Sequence, residues 1–82
     1  MREGTQFKTT KEMYSTRVTG TGSKMRTRST YIPEGETFTI VDGESKNRRV
    51  RGHSGEMVII EYGGEELHVF TEALLDDAIK VQ

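Results

Sequence analysis

Eight of the nine glycines fall at positions 20, 22, 35, 43, 52, 55, 63 and 64, and they cut most of this 82-residue chain into short runs. Inside a helix each glycine costs about 1 kcal/mol relative to alanine, whereas a tight turn uses its freedom to adopt positive φ. The runs between the breaks are rich in β-formers. The chain has eleven threonines, whose β-branched side chains suit a pleated, half-exposed surface better than a helix. Short segments between turn residues predict a mainly β domain of the sandwich or barrel kind. The length allows one domain, and a chain this small buries only roughly 60% of its unfolded surface, which leaves little room for a deep enclosed active site.

The runs can be read one by one. Residues 25–31 alternate, which places Lys24, Arg26 and Arg28 on one face of a strand. Ile32-Pro33-Glu34-Gly35 reads as a tight turn, with proline presetting φ at the second position. Alternation resumes over 36–41 and points Phe38 and Ile40 into a core. Asp42-Gly43 is a turn signal, followed by a polar loop over 44–47. On the next strand Arg49, Arg51 and His53 share a face opposite Val50. Met57-Val58-Ile59-Ile60 is the most apolar stretch and predicts a central strand. Gly63-Gly64 predicts a two-residue hairpin loop of the primed type, returning through Leu67-His68-Val69-Phe70.

Beyond Phe70 the pattern changes. Thr71 suits a helix cap, Glu72 sits favourably in a first turn, and Ala73-Leu74-Leu75 are good helix formers. Two readings compete: a short helical turn over 71–75 followed by a closing strand over 78–81, or one helix over 72–79. The alternation of Ile79 and Val81, and the need to cover a sheet edge, favour the first. The predicted core is Phe38, Ile40, Val58, Ile60, Val69 and Leu74. Residues 1–13, with Phe7 as their strong anchor, read as a mobile arm or an added edge strand.

This order of elements resembles the SH3-like small β-barrel. The likeness covers residues 25–82: a basic strand over 25–31, the turn Ile32-Pro33-Glu34-Gly35-Glu36, and the strand Thr37-Phe38-Thr39-Ile40-Val41. A hairpin over 49–62, a strand over 67–70, a helical turn over 71–75 and a last strand complete it. The resemblance implies five or six short antiparallel strands with one short helical turn. Classical members grip proline-rich peptides with a tryptophan and clustered aromatics. This chain has no tryptophan, so no site residue is carried over. The layout serves protein and nucleic-acid binding in many families, so function has to be argued from the surface. In style the chain also resembles the small host-takeover proteins of bacteriophages, which bind and disable host proteins.

Several chemistries are set aside on composition. The absence of cysteine removes disulfides, a thiol nucleophile and cysteine zinc sites, and fits a reducing, cytoplasmic setting. No apolar run approaches the roughly 18 residues of a membrane span, and the opening Arg2-Glu3-Gly4-Thr5 lacks a signal-peptide core. Gly20-Thr21-Gly22-Ser23-Lys24 lacks the spacing of a phosphate loop and reads as a hairpin loop. Two histidines on different strands do not suggest a metal site. Neighbouring His53 and Ser54 point to opposite faces of a strand, with no orienting acid to complete a catalytic set. No enzyme activity and no cofactor are therefore expected.

Charge is the remaining signal. The net charge of −1 hides an asymmetry. Residues 1–33 carry seven basic side chains against two acidic ones, and residues 56–82 carry seven acidic side chains against Lys80 alone. Such polarity serves either internal packing or two binding faces. Arg26, Arg28, Arg49 and Arg51 are the candidate partner contacts, with Tyr14 and Tyr31 as aromatic anchors, since both residue types are enriched at interface hot spots. The expected function is docking on a larger protein that the module modulates or inhibits. The alternative is nucleic-acid binding through a merged Lys24/Arg26/Arg28/Arg49/Arg51 face, with a tyrosine as stacking surface. The pI of about 6.1 argues against that alternative.

Overall fold

Gly63-Gly64 forms the hairpin turn that two glycines between alternating runs predict. In the computed structural model, which describes residues 1–50 and 53–81, Tyr62 pairs with Glu65 across the two glycines. Their φ values are 61° and 81°, the positive pair that a type I′ turn requires at both central positions.

The described residues form seven strands: β1 (Gln6–Thr9), β2 (Met13–Thr19), β3 (Arg26–Ile32), β4 (Thr37–Val50), β5 (His53–Tyr62), β6 (Glu65–Phe70) and β7 (Ala78–Val81). A short helix, α1 (Thr71–Asp77), precedes β7, and a 3-10 turn at Gly22–Lys24 lies in the loop between β2 and β3. All paired strands are antiparallel, in the order β3-β2-β6-β5-β4-β1-β7. The mainly β class is thus observed, with seven strands rather than five or six. The sheet is not closed into a barrel: β3 and β7 are its two edges.

Several local expectations are overturned. Asp42-Gly43 does not reverse the chain; β4 runs straight through it, with register shifts between Ile40 and Asp42 and between Asp42 and Lys46. The Asp42 carboxylate accepts the Glu44 N–H at 3.1 Å, so the tight local geometry that asparagine and aspartate favour is used for a bulge. Gly43 is needed there for close approach, because a Cβ would run into the main chain of Met1. The predicted loop over 44–47 is therefore strand, and β4 pairs with β5 from Thr39 with Glu61 as far as Val50 with His53. Cross-strand partners share a face, so His53 lies on the side of Val50 and opposite Arg49, not beside Arg49.

Residues 1–13 contain neither a free arm nor an edge strand over their central part. β1 is an inner strand, pairing with β4 on one side and β7 on the other. Its last residue, Thr9, is a hub: its hydroxyl donates to the Pro33 carbonyl at 2.6 Å and accepts the Glu36 N–H at 3.0 Å. Its own main chain bonds Glu36 and Gly35. The proline turn foreseen at 32–35 is thereby tied to β1.

One face of the sheet carries the main core: Phe7, Met13, Ile32, Phe38, Ile40, Val58, Ile60, Leu67, Val69, Leu74 and Ala78. All six predicted core residues belong to it. Phe7 and Phe38 are cross-strand partners with rings stacked 5.9 Å apart. α1 contributes Leu74, which is fully buried; burying a leucine side chain is worth about 1.5–3 kcal/mol. The helical-turn-plus-strand reading of the last segment holds, with the helix extending to Asp77. Thr71 does not cap it. Phe70 occupies that position, and the Thr71 hydroxyl instead pairs with the Ser45 hydroxyl of β4 at 2.7 Å. Val50 and Met57 are buried outside this cluster, on the other face.

Candidate partner-binding surface

The β2–β3 hairpin is where the sheet outruns its core. Its register is unbroken over seven pairs, from Met13 with Ile32 to Thr19 with Arg26. Along the core-facing side the pairs run Met13 with Ile32, Ser15 with Thr30, Arg17 with Arg28, and Thr19 with Arg26. The same face passes from fully buried to charged as apolar neighbours run out. Arg17, Thr19, Arg26, Thr27 and Arg28 line a cleft of about 390 Å³, and a second hollow of about 230 Å³ lies between Arg17, Arg28, Thr30 and Glu65.

Arg17 and Arg28 stand directly across from each other, an arrangement that destabilises a sheet unless something negative lies between. One carboxylate is available: Glu65 approaches the Arg17 Nε at 3.2 Å. Both partners are roughly half exposed, so the pair is worth at most about 1 kcal/mol. Arg26 and Arg28 are exposed, and among the described residues neither they nor Arg49 has a carboxylate within ion-pair distance. Arg17 escaped the sequence reading, although its place in a strand from Met13 to Thr19 with buried Met13 and Ser15 was the usable signal.

Tyr14 and Tyr31 are also cross-strand partners, but on the other face of the hairpin. Their rings meet edge to face at 5.4 Å. Tyr14 Oη hydrogen-bonds Ser29 Oγ at 2.8 Å and His53 Nε2 at 2.9 Å, which ties the hairpin to the start of β5. Tyr31 keeps 56% of its surface exposed. The candidate arginines and aromatics therefore lie back to back and do not form a mixed basic–aromatic surface. Arg49 is also apart: three strands stand between β3 and β4, so the two basic sets do not merge through neighbouring strands. Arg51 lies outside the described residues.

The rest of the hairpin's attachment is narrow. β2 pairs with β6 only at Thr16 with His68 and Arg17 with Leu67. His68 is half-buried; burial and then the nearby positive charge of Arg48 hold its pKa below the ordinary value, against a smaller opposing pull from Glu66. Arg48 itself donates to Asp42 at 3.3 Å. His53 is engaged by Tyr14, whereas Ser54 pairs with Arg49 on the opposite side of the strand, so His53 and Ser54 are not aimed at a common point. Among the described residues no group of three or more His, Cys, Asp or Glu side chains is placed to hold a metal ion, and no helix is long and apolar enough to cross a membrane.

No family model, no curated protein and no solved structure matches the chain.

Proposed function

We propose that this chain is a non-catalytic protein-binding module that docks on a larger protein through its basic β2–β3 hairpin and modulates or inhibits that protein. The observation that carries the reading is the cross-strand pair of Arg17 and Arg28, flanked by Arg26, with one half-exposed carboxylate, Glu65, beside Arg17. Placing like charges opposite each other costs stability, and an acidic partner surface would offset that cost while steering approach. Arg26 and Arg28 are the leading contacts, joined by Arg17. Tyr31, exposed on the reverse of the same strand, is an anchor for a partner that wraps the edge, with Tyr14 holding it in place. Arg49, on β4, belongs to a separate, peripheral contact. The resemblance in style to phage host-takeover proteins makes an inhibitor of a host protein the favoured form of this reading.

Nucleic-acid binding through the same cations is the runner-up. It has less support because the aromatic rings needed for base stacking lie on the opposite face of the hairpin from Arg26 and Arg28.

The test is a nuclease-treated pull-down with wild type and with the double variant Arg26→Glu/Arg28→Glu. A stoichiometric protein retained by wild type and lost by the variant supports docking. Loss of all partners on nuclease treatment, together with affinity for oligonucleotides that falls steeply with salt, would replace it with the runner-up.

A further inference from the structure

The two ends of the sheet differ in how they are finished, and β3 is the unprotected one. It is seven residues long, and its register with β2 contains no bulge. It holds no proline, and no strand among the described residues pairs with its outer side. Every second residue of such a strand turns its N–H and C=O away from its neighbour, leaving a row of unpaired donors and acceptors. Natural edges are normally blunted by short length, bulges, proline or charge. β3 has only charge, and that charge is all of one sign, on one face, at Arg26 and Arg28.

We infer that β3 accepts an extended acidic segment of a partner protein as an additional strand, read by alternating carboxylates opposite Arg26 and Arg28. This rests on the protein-docking reading above and specifies its mode. The main-chain groups of β3 supply affinity without regard to sequence, and side chains at alternate positions supply the code. A strand laid beside β3 puts its residues i and i+2 on the face of Arg26 and Arg28, the spacing at which two carboxylates meet two guanidinium groups directly across the ladder. Residues between them lie on the opposite face, beside Thr27, Ser29 and the exposed ring of Tyr31, where an apolar side chain is best accommodated. The same charges select against a second copy of this chain: pairing β3 with another β3 would crowd two arginine sets on adjoining strands, which is how charged edges resist self-association.

The probes are two capped peptides of identical composition, Glu-Val-Glu-Val-Glu-Val and Glu-Glu-Glu-Val-Val-Val, measured by fluorescence anisotropy against the full chain. Strand addition predicts that the alternating peptide binds at least about tenfold more tightly, since only it can place every carboxylate on one face. It also predicts that backbone N-methylation of one alternate set of its residues abolishes binding while methylation of the other set leaves it intact. Arg26→Glu/Arg28→Glu, folded by circular dichroism, should lose the alternating peptide. Equal affinity for the two peptides, or indifference to both methylated sets, overturns strand addition; if the double variant still loses its protein partner in that case, docking through this face survives. Retention of both partner and peptide by the double variant sinks both. Absence of peptide binding overturns strand addition, as does an oligo(dT) probe binding more tightly than either peptide. Concentration-dependent dimers of the wild-type chain in sedimentation, undisturbed by saturating alternating peptide, would assign the edge to a second copy instead.

Discussion

One end of this sheet is knitted shut and the other is left unfinished. At the β1–β7 end, Thr9 gathers the turn before β4, and the Thr10 N–H donates to the Asp77 carbonyl at 2.7 Å. Lys11 meets the Asp77 carboxylate at 3.4 Å, and α1 drops Leu74 into the core. The edge strand there is only four residues long. At the β2–β3 end the edge is longer and regular, and its inward face turns from Met13 and Ile32 to three arginines within a few residues. Cross-links of side chain and main chain cluster at the first end; at the second, like charges face each other across the ladder, an arrangement that costs stability. The contrast separates what the fold needs from what a partner could use, and it can be broken at either end.

The largest effect should come from the core beneath the helix that leads into β7. Leu74→Ala empties a fully buried site where the helix meets the sheet, and a leucine-to-alanine change of that kind costs about 2–5 kcal/mol. Urea unfolding followed by circular dichroism measures it. If the two ends are as distinct as described, the remaining folded population binds its partner through Arg26 and Arg28 as before. Next comes Thr9→Val, which keeps the shape but leaves the Glu36 N–H without its hydroxyl acceptor. A buried group stripped of its partner costs about 1–3 kcal/mol. A loss well below that would mean that Thr9 is a spectator and the turn is held by main-chain bonds alone.

The knitted end also shows what a single sequence can and cannot tell. Phe38, Ile40, Val58, Ile60, Val69 and Leu74 were legible because alternation and an apolar run report burial directly. Gly63-Gly64 was legible because few backbones other than a primed turn need two successive positive φ values. Asp42-Gly43 offers the same vocabulary and means something else. There the apolar demand on both sides keeps β4 and β5 paired, and the dipeptide is absorbed as a bulge; local turn chemistry loses to long-range pairing. Tertiary register was invisible for the same reason. Alternation places Arg26 and Arg28 on one face, but only strand order and register show that Arg17 lies across from Arg28, that three strands separate Arg49 from them, and that Tyr14 and Tyr31 face the other side.

Between the two ends lies a seam, and the depressed pKa of His68 predicts that it weakens in acid. His68 is one of only two β6 positions paired with β2, and burial, then Arg48, depress its pKa in the folded state. A histidine held neutral by the fold binds fewer protons than its unfolded counterpart, so its contribution is fully present above the unfolded pKa near 6.5. As pH falls below that value the unfolded chain takes up the proton first, and stability drops until the depressed folded pKa is passed. The unfolding free energy of wild type should therefore fall relative to that of His68→Gln as pH drops from neutral to mildly acidic. Parallel curves would place the pH sensitivity elsewhere.

The smallest stability change is the one most diagnostic of purpose. Arg28→Thr removes one of two facing cations from a strand where threonine is at home, and relieving a like-charge cross-strand pair is worth about 0.2–1 kcal/mol. The variant should thus be as stable as wild type or slightly more so by urea unfolding, while Glu65 remains to balance Arg17. If Arg28 served the fold, its removal would destabilise the protein, as Leu74→Ala does. If it serves a partner, the same change leaves the fold alone and weakens capture of that partner, and Arg28→Lys, which keeps the charge but not the guanidinium fork, restores only part of the binding. A destabilised Arg28→Thr would erase the division between the two ends of the sheet, because the open end would then be holding the molecule together.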